Sequence, residues 1–107
     1  MSSLQVDTQF PSVTTVLTTD EELVVKLTDG RTISVPLGWY PRLAHGTPAE
    51  RSNWRLIAQG QGVHWPELDE DISVENILMG RRSQESNQSL ERWLKNRSLD
   101  NGPTTRD

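Results

Sequence analysis

The most informative part of the chain is Leu23-Val24-Val25-Lys26-Leu27-Thr28-Asp29-Gly30-Arg31-Thr32-Ile33-Ser34-Val35. Apolar and β-branched residues alternate here with polar ones, which is typical of strands that bury one face. Asp29-Gly30 stands in the middle, and this dipeptide favours the type I′ turn of a tight hairpin. The segment therefore predicts an antiparallel hairpin whose alternate apolar side chains share one face.

Further strands are predicted on both sides of this hairpin. Residues 13–19 before it are rich in Val and Thr, which favour extended backbone. Residues 55–58 and 63–65 are short apolar runs, and they flank the glycine-bearing turn 59–62. Together these segments predict an antiparallel sheet of about five strands.

Two short helices are predicted within the same region. Residues 47–50 read Thr-Pro-Ala-Glu, which combines a capping Thr, a Pro at the first helical position and a Glu three residues after the cap. Residues 72–79 place apolar side chains at helical spacing, and Asp71 or Ser73 is positioned to cap that helix. The fold class expected is therefore α+β.

The C-terminal part has a different character. Residues 81–107 are mostly polar, and their apolar residues Leu90, Trp93 and Leu94 form a narrow stripe at helical spacing. The last ten residues have little to bury and are expected to be disordered. We therefore predict an α+β domain over residues 4–80 and a helical interaction tail with a disordered end over residues 81–107.

Composition limits the classes of function. The chain has 107 residues, which suffices for one domain. It has no cysteine, so it has neither a thiolate nucleophile nor a disulfide framework. It also lacks a long apolar run and the pattern of a signal peptide, so a cytoplasmic location without membrane contact is expected.

The charge is unevenly distributed along the chain. Residues 1–80 carry 5 basic and 11 acidic side chains, a net charge of −6, whereas residues 81–107 carry 6 and 4, a net charge of +2. Arg81 and Arg82 begin the basic tail and are candidate nucleic-acid contacts. So weak a positive field argues against duplex binding by a single chain, although a dimer would pair two tails.

One constellation suggests catalysis or metal binding. His64 precedes Glu67 and the acidic run 69–71, and a histidine with carboxylates can bind a divalent metal. No second ligand at helical spacing fixes a geometry, and Pro66 turns the chain between the groups. We therefore favour a turn carrying solvated acids and predict no catalytic residue, no metal and no cofactor, while a metal-dependent enzyme remains the second alternative.

Trp93 is the strongest candidate for a binding residue. Its helix has an apolar stripe only three residues long, and an isolated helix of this length is marginally stable in water. Trp93 must therefore pack either on its own body or on another chain, and the sequence does not choose between these alternatives. The predicted partner-binding residues are Leu90, Arg92, Trp93, Leu94, Lys95 and Arg97.

Several motifs resemble those of a known family. They are residues 29–31, 39–43, the pair Glu50-Arg51 and, above all, Gly62-Val63-His64-Trp65-Pro66-Glu67-Leu68-Asp69-Glu70-Asp71-Ile72-Ser73-Val74-Glu75. The resemblance is to the bacterial domain-of-unknown-function family 2442, over about residues 13–80. It implies a small α+β domain and a role as the antitoxin of a type II toxin-antitoxin pair.

The sequence thus leads to one expected function and two alternatives. The expected function is a non-enzymatic protein-binding module, an antitoxin that neutralises a small cognate protein encoded nearby through its body and its C-terminal helix. The first alternative is a DNA-binding autoregulator that acts as a homodimer or together with its partner. The second is the metal-dependent enzyme built on His64.

Overall fold

The computed structural model describes the backbone of residues 10–101 and the side chains of residues 10–98. Six strands form two antiparallel three-stranded sheets, with the orders β1-β2-β3 and β4-β5-β6. Their bounds are β1 Val13–Thr18, β2 Glu22–Leu27, β3 Thr32–Pro36, β4 Arg55–Ile57, β5 Gly62–Trp65 and β6 Glu70–Ser73. The predicted antiparallel α+β fold is confirmed.

Four α-helices accompany the sheets within residues 10–101. They are α1 Pro41–Ala44, α2 Pro48–Ser52, α3 Val74–Leu78 and α4 Asn87–Asn101. Thr47 and Glu50 form the predicted capping box of α2, and Ser73 rather than Asp71 caps α3. No helix in the described part of the chain is long and apolar enough to cross a membrane.

Several predictions concern the two ends of the chain. The predicted domain start at residue 4 and the basic residue Arg106 lie outside the described residues. Of the predicted disordered end, residues 102–107 also lie outside them, whereas residues 98–101 continue helix α4.

The central hairpin is confirmed, but its turn differs from the prediction. Val25 faces Ile33 and Leu23 faces Val35 across β2 and β3, as the alternation required. In the turn, Gly30 alone has a positive φ, +95°, and its N–H donates to the carbonyl of Leu27 over 3.1 Å. This is a three-residue connection in which the glycine follows a type I turn, so the prediction of type I′ was wrong.

The acidic segment 69–71 is the main difference from the expected strand pattern. Instead of a solvated turn, Glu70 and Asp71 belong to β6, which pairs with β5 in register His64 to Asp71. Asp69 bends the chain before it with φ +52°. Alternation explains the result, because Ile72 is buried in the core while Asp71 points outward. The sixth strand completes a second sheet, so the expected single sheet of about five strands is replaced by two sheets of three.

One buried tryptophan joins the second sheet to helix α2. Trp65 on β5 is fully buried, and its indole N–H donates to the carbonyl of Arg51 over 3.0 Å. The buried Arg51 guanidinium in turn donates to the carbonyls of Gly46 (2.6 Å) and Leu43 (3.3 Å). These bonds fix α1 and α2 against the core, which determines where the side chains on their outer faces lie.

A glycine substitution tests the packing between the sheets. Gly60 has φ +87°, and a Cβ there would lie 2.7 Å from the Cβ of Ser12, which precedes β1. We expect Gly60→Ala to lower the free energy of unfolding by about 2 kcal/mol, because both the backbone and the contact become strained. Gly38→Ala is the matched control, since nothing lies within 4 Å of its added Cβ. Equal midpoints for the two variants in urea denaturation would contradict the prediction.

Candidate partner-binding surface

The C-terminal arm, which we define as residues 85–98, has two distinct faces. Its half-buried residues are Glu85, Ser89, Leu90, Trp93, Leu94 and Arg97, and they recur every three to four positions. The residues between them in α4, including Arg92 and Lys95, are exposed. The predicted apolar stripe therefore exists, and it lies on the face turned towards the chain's own body.

Five side chains hold the arm on the body, and we call them the clasp: Glu85, Arg42, Trp93, Arg97 and Glu50. The Arg42 guanidinium donates to both carboxylate oxygens of Glu85, with its Nε at 2.9 and 3.0 Å. The carbon at the centre of that guanidinium lies 5.1 Å from the centroid of the Trp93 ring, and that of Arg97 lies 4.8 Å from it. Arg97 also donates to both oxygens of Glu50, over 2.9 and 3.2 Å. Anion, cation, ring, cation and anion thus follow one another across the interface.

The body supplies its two clasp residues from short helices that the core fixes in place. Arg42 lies in the first turn of α1, and Glu50 is the third residue of α2. The Glu50 carboxylate has two roles, because it also accepts the N–H of Thr47 over 2.9 Å. Hydrogen bonding to Arg97 lowers the pKa of Glu50, and hydrogen bonding to Arg42 lowers the pKa of Glu85. Both carboxylates are therefore charged at neutral pH.

The clasp holds the arm moderately rather than tightly. Both ion pairs are partly shielded from water, with side-chain exposures of 22% and 21% for Arg97 and Glu50 and of 16% and 11% for Arg42 and Glu85. Two such pairs and two cation–π contacts contribute on the order of 2–4 kcal/mol in total. A helix the length of α4 is marginal without such contacts, so its ordering depends on what its inner face touches.

The predicted partner-binding residues fall into two groups. Leu90, Trp93, Leu94 and Arg97 lie on the inner face, where Trp93 also packs against the hydrophobic core and Arg97 contacts Glu50. Arg92 and Lys95 lie on the outer face and are exposed. Of the two alternatives for Trp93, the structure shows the first: Trp93 packs on the body of its own chain.

The docking partners Arg42 and Glu50 were missed in the sequence. A signal was present, because Glu85, Ser89, Trp93 and Arg97 are spaced by four and therefore lie on one helix face. The stripe carries an acid at one end and a base at the other. A surface that binds this row of residues needs a base opposite Glu85 and an acid opposite Arg97. Arg42 and Glu50 provide them.

A cleft of about 490 Å³ lies beside the clasp. Its lining includes Arg42, Glu70, Asp71, Arg82 and Glu85. Burial raises the pKa of Glu70 to about 7, against the opposing effect of the nearby Arg42 guanidinium. Glu85 cannot act there as an effective general base, because its pKa is lowered and Arg42 occupies its oxygens.

The predicted nucleic-acid residues both contact the body. Arg81 donates to the side-chain oxygen of Asn76 over 3.2 Å and lies 3.9 Å from a carboxylate oxygen of Glu75. The Arg82 guanidinium lies over the ring of Trp39, 5.0 Å from its centroid. These contacts compete with phosphate binding, although both arginines remain exposed.

The alternative of a metal-dependent enzyme requires a metal site at His64. Nδ1 of His64 contacts a carboxylate oxygen of Asp71 directly across the β5–β6 pair. Within residues 10–98, no group of three or more His, Asp and Glu side chains is arranged to hold a metal ion. The contact is accounted for by strand pairing between a histidine and a carboxylate on one face of the sheet.

Replacement of Glu70 tests the electrostatics of the cleft. The pKa of Glu70 is raised on folding, from 4.5 to about 7, so the protonated carboxyl stabilises the fold below pH 4.5 and this contribution is lost as the pH rises through about 7. Glu70→Gln keeps a neutral side chain at every pH. We expect it to stabilise the protein by about 1–3 kcal/mol near pH 8 and to have little effect near pH 4. Glu91→Gln, on the exposed face of α4, is the control, and a stability difference independent of pH would refute the assignment.

Two solved structures of other proteins are similar to this fold. At 22% sequence identity and a TM-score of 0.62, the crystal structure of a protein of unknown function from Rhodospirillum rubrum matches 72% of this chain and 95% of its own. The solution NMR structure of an uncharacterized protein from Chromobacterium violaceum has the same identity and TM-score, over 85% of this chain and 82% of its own. No curated protein sequence matches this chain. The model of the family described as Protein of unknown function (DUF2442) matches residues 13–83, and the chain belongs to this family.

Proposed function

We propose that this chain is a non-enzymatic protein-binding module that acts as the antitoxin of a type II toxin-antitoxin pair. It binds a small cognate protein through its body and its C-terminal arm, and in doing so covers the surface with which that protein acts. The observation that supports this proposal best is the arm itself. Its only apolar stripe lies on the face that the clasp holds against the body.

The chemistry of the clasp makes the arm suited to exchange between two surfaces. Ion pairs and cation–π contacts at a partly exposed interface can be replaced by equivalent contacts with another protein at little net cost. Release of the arm removes Trp93 from the edge of the core, and α1 and α2 stay in place because Trp65 and Arg51 hold them independently of the arm. Release of the arm is therefore a local event.

In the proposed complex, the arm binds the partner as an amphipathic helix. Leu90, Trp93 and Leu94 insert into an apolar groove, and Arg92, Lys95 and Arg97 contact its acidic rim. Arg97 leaves Glu50 for a carboxylate of the partner. The ordering of α4 is preserved throughout, since one surface replaces the other.

The neighbouring reading frame and the behaviour of its product test this function. A small, basic protein encoded beside this chain should arrest growth when expressed alone and should be harmless, and co-purify, when expressed with it. Growth arrest that this chain does not relieve would refute the proposal.

Two substitutions separate binding by the arm from binding by the docked surface. Trp93→Ala removes the anchor, and we expect it to weaken partner affinity by about 2 kcal/mol, roughly thirtyfold. Glu50→Gln removes the charge that holds Arg97 and keeps a side-chain oxygen for the Thr47 N–H, so affinity should stay the same or rise. Isothermal titration calorimetry provides the measurement. Equal losses for both variants would mean that the partner recognises the docked arm and body together.

DNA binding is the second candidate, and the exposure of Arg92 and Lys95 on the outer face of α4 favours it. As an autoregulator, the dimer or the complex with the partner would bind the promoter of its own operon. Affinity should then fall steeply with salt, because phosphate contacts release counterions. An electrophoretic mobility shift at low salt, with and without partner, distinguishes this candidate.

A further inference from the structure

The cleft beside the clasp contains a carboxyl group that the clasp does not use. Glu70, the first residue of β6, lines this cleft together with the clasp residues Arg42 and Glu85. Its side chain is half-buried. The side-chain hydrogen bonds that the described residues make around the cleft do not reach its carboxyl oxygens. Glu70 therefore lacks the partners that would stabilise its charge.

The guanidinium of Arg42, whose charge acts on Glu70, is already engaged by other groups. Its Nε donates to both carboxylate oxygens of Glu85, at 2.9 and 3.0 Å, and its Nη2 donates to one of them at 2.5 Å. Its Nη1 donates to the carbonyl of Asp69 over 3.1 Å. The cation that could stabilise an ionised Glu70 is thus committed to the docked arm.

Glu70 lies among charged and titratable groups from its own strand, from α1 and the residue before it, and from the segment that leads into the arm. They are Tyr40, Arg42, Asp69, Asp71, Arg82 and Glu85. The pKa values of Tyr40 and Arg42 are raised and that of Glu85 is lowered, so these three keep their charge state near neutral pH. Burial raises the pKa of Glu70 to about 7, so Glu70 changes charge there.

We propose that the protonation state of Glu70 controls docking of the arm on the body. While the Glu70 carboxyl is protonated, Glu85 stays on Arg42 and the clasp holds the arm. Once the carboxyl ionises, it repels Glu85 and competes for Arg42, and the arm is released. The chain thus conceals the inner face of the arm below neutral pH and presents it above.

Release of the arm relieves an ionised Glu70 in three ways. It removes Glu85, whose negative charge acts on Glu70. It frees the Arg42 guanidinium to pair with Glu70. It also opens one wall of the cleft, to which the arm contributes Glu85 and Ser89, so water reaches the carboxylate. All three effects favour the ionised carboxyl, so ionisation and release favour each other.

Protonation of Glu70 and docking of the arm are therefore thermodynamically linked. Since the pKa of Glu70 is higher in the docked state than in the released state, docking is strongest at low pH and weakens as the pH rises through about 7. Each unit by which release lowers this pKa reduces the equilibrium constant for docking about tenfold at high pH. A full return from about 7 to the ordinary value of 4.5 sets the upper limit, about 300-fold.

A spin label on the arm measures docking. The chain has no cysteine, so Asn96→Cys on the exposed face of α4 provides a single attachment site. In the docked state the label broadens the NMR signal of the Ala49 methyl group, which lies next to the clasp residue Glu50 on α2. We expect strong broadening at about pH 5.5 and a decrease once Glu70 ionises, above about pH 7.

Two variants of the labelled chain show whether Glu70 is responsible. Glu70→Gln is uncharged at every pH, so the broadening should stay strong throughout. His64→Gln is the matched control, because histidines also change charge near neutral pH and His64 contacts Asp71, the neighbour of Glu70. It should keep the pH dependence of the unaltered chain. Circular dichroism at each pH verifies that the body stays folded.

Titration of Glu70 itself is the reciprocal measurement, and it decides the question even if the arm stays docked at every pH. The carboxyl carbon of Glu70 is followed by NMR in the unaltered chain and in Trp93→Ala, which weakens docking. The spin label verifies release in this variant, and Arg97→Gln is added where release is incomplete. Linkage requires a lower pKa of Glu70 in the released chain.

Two outcomes would overturn the proposal. One is the same pKa of Glu70 with the arm docked and released. The other is a pH-dependent release that persists in Glu70→Gln, since another group would then control the arm. Docking on the body needs no second protein, so both measurements use the isolated chain and their outcome is independent of the proposed function.

Discussion

The hydrogen bond from the Trp65 indole to the carbonyl of Arg51 is the contact on which the positions of the other functional groups depend. It joins the second sheet to helix α2, and the Arg51 guanidinium extends the connection to the end of α1. Because Arg42 and Glu50 lie on these two short helices, the same bond sets the spacing of the two charges that receive the arm. Without this buried connection, helices of four and five residues would have little to stabilise them.

Local signals in the sequence predicted local structure well. The alternation around Asp29-Gly30 specified the central hairpin, and Thr47 with Glu50 specified the start of α2, because in each case the interacting groups are within a few residues of each other. The type of turn was missed, since Asp-Gly suits more than one hairpin connection. Strand β6 was missed because its two acids resemble a solvated turn, and only pairing with β5 makes them part of a sheet.

The sequence predicted the binding face of the arm but not the surface of the body that receives it. The stripe of Leu90, Trp93 and Leu94 follows from helical spacing, but the residues that receive it are distant in the chain. Arg42 and Glu85 are 43 positions apart, and Glu50 and Arg97 are 47 apart. No periodicity connects groups at such separations, so the sequence identifies the amphipathic helix and leaves its docking site open. The matched family and the two similar solved structures show the family and the fold.

The Glu50 carboxylate links opening of the arm to the N-terminal cap of helix α2. One of its oxygens accepts both the Thr47 amide and an Arg97 nitrogen. When Arg97 departs, that oxygen can strengthen its bond to the amide instead of being left without a partner. The Thr47 N–H thus serves as a reserve donor to that oxygen, and the chemical shift of its amide proton would report whether the arm is docked.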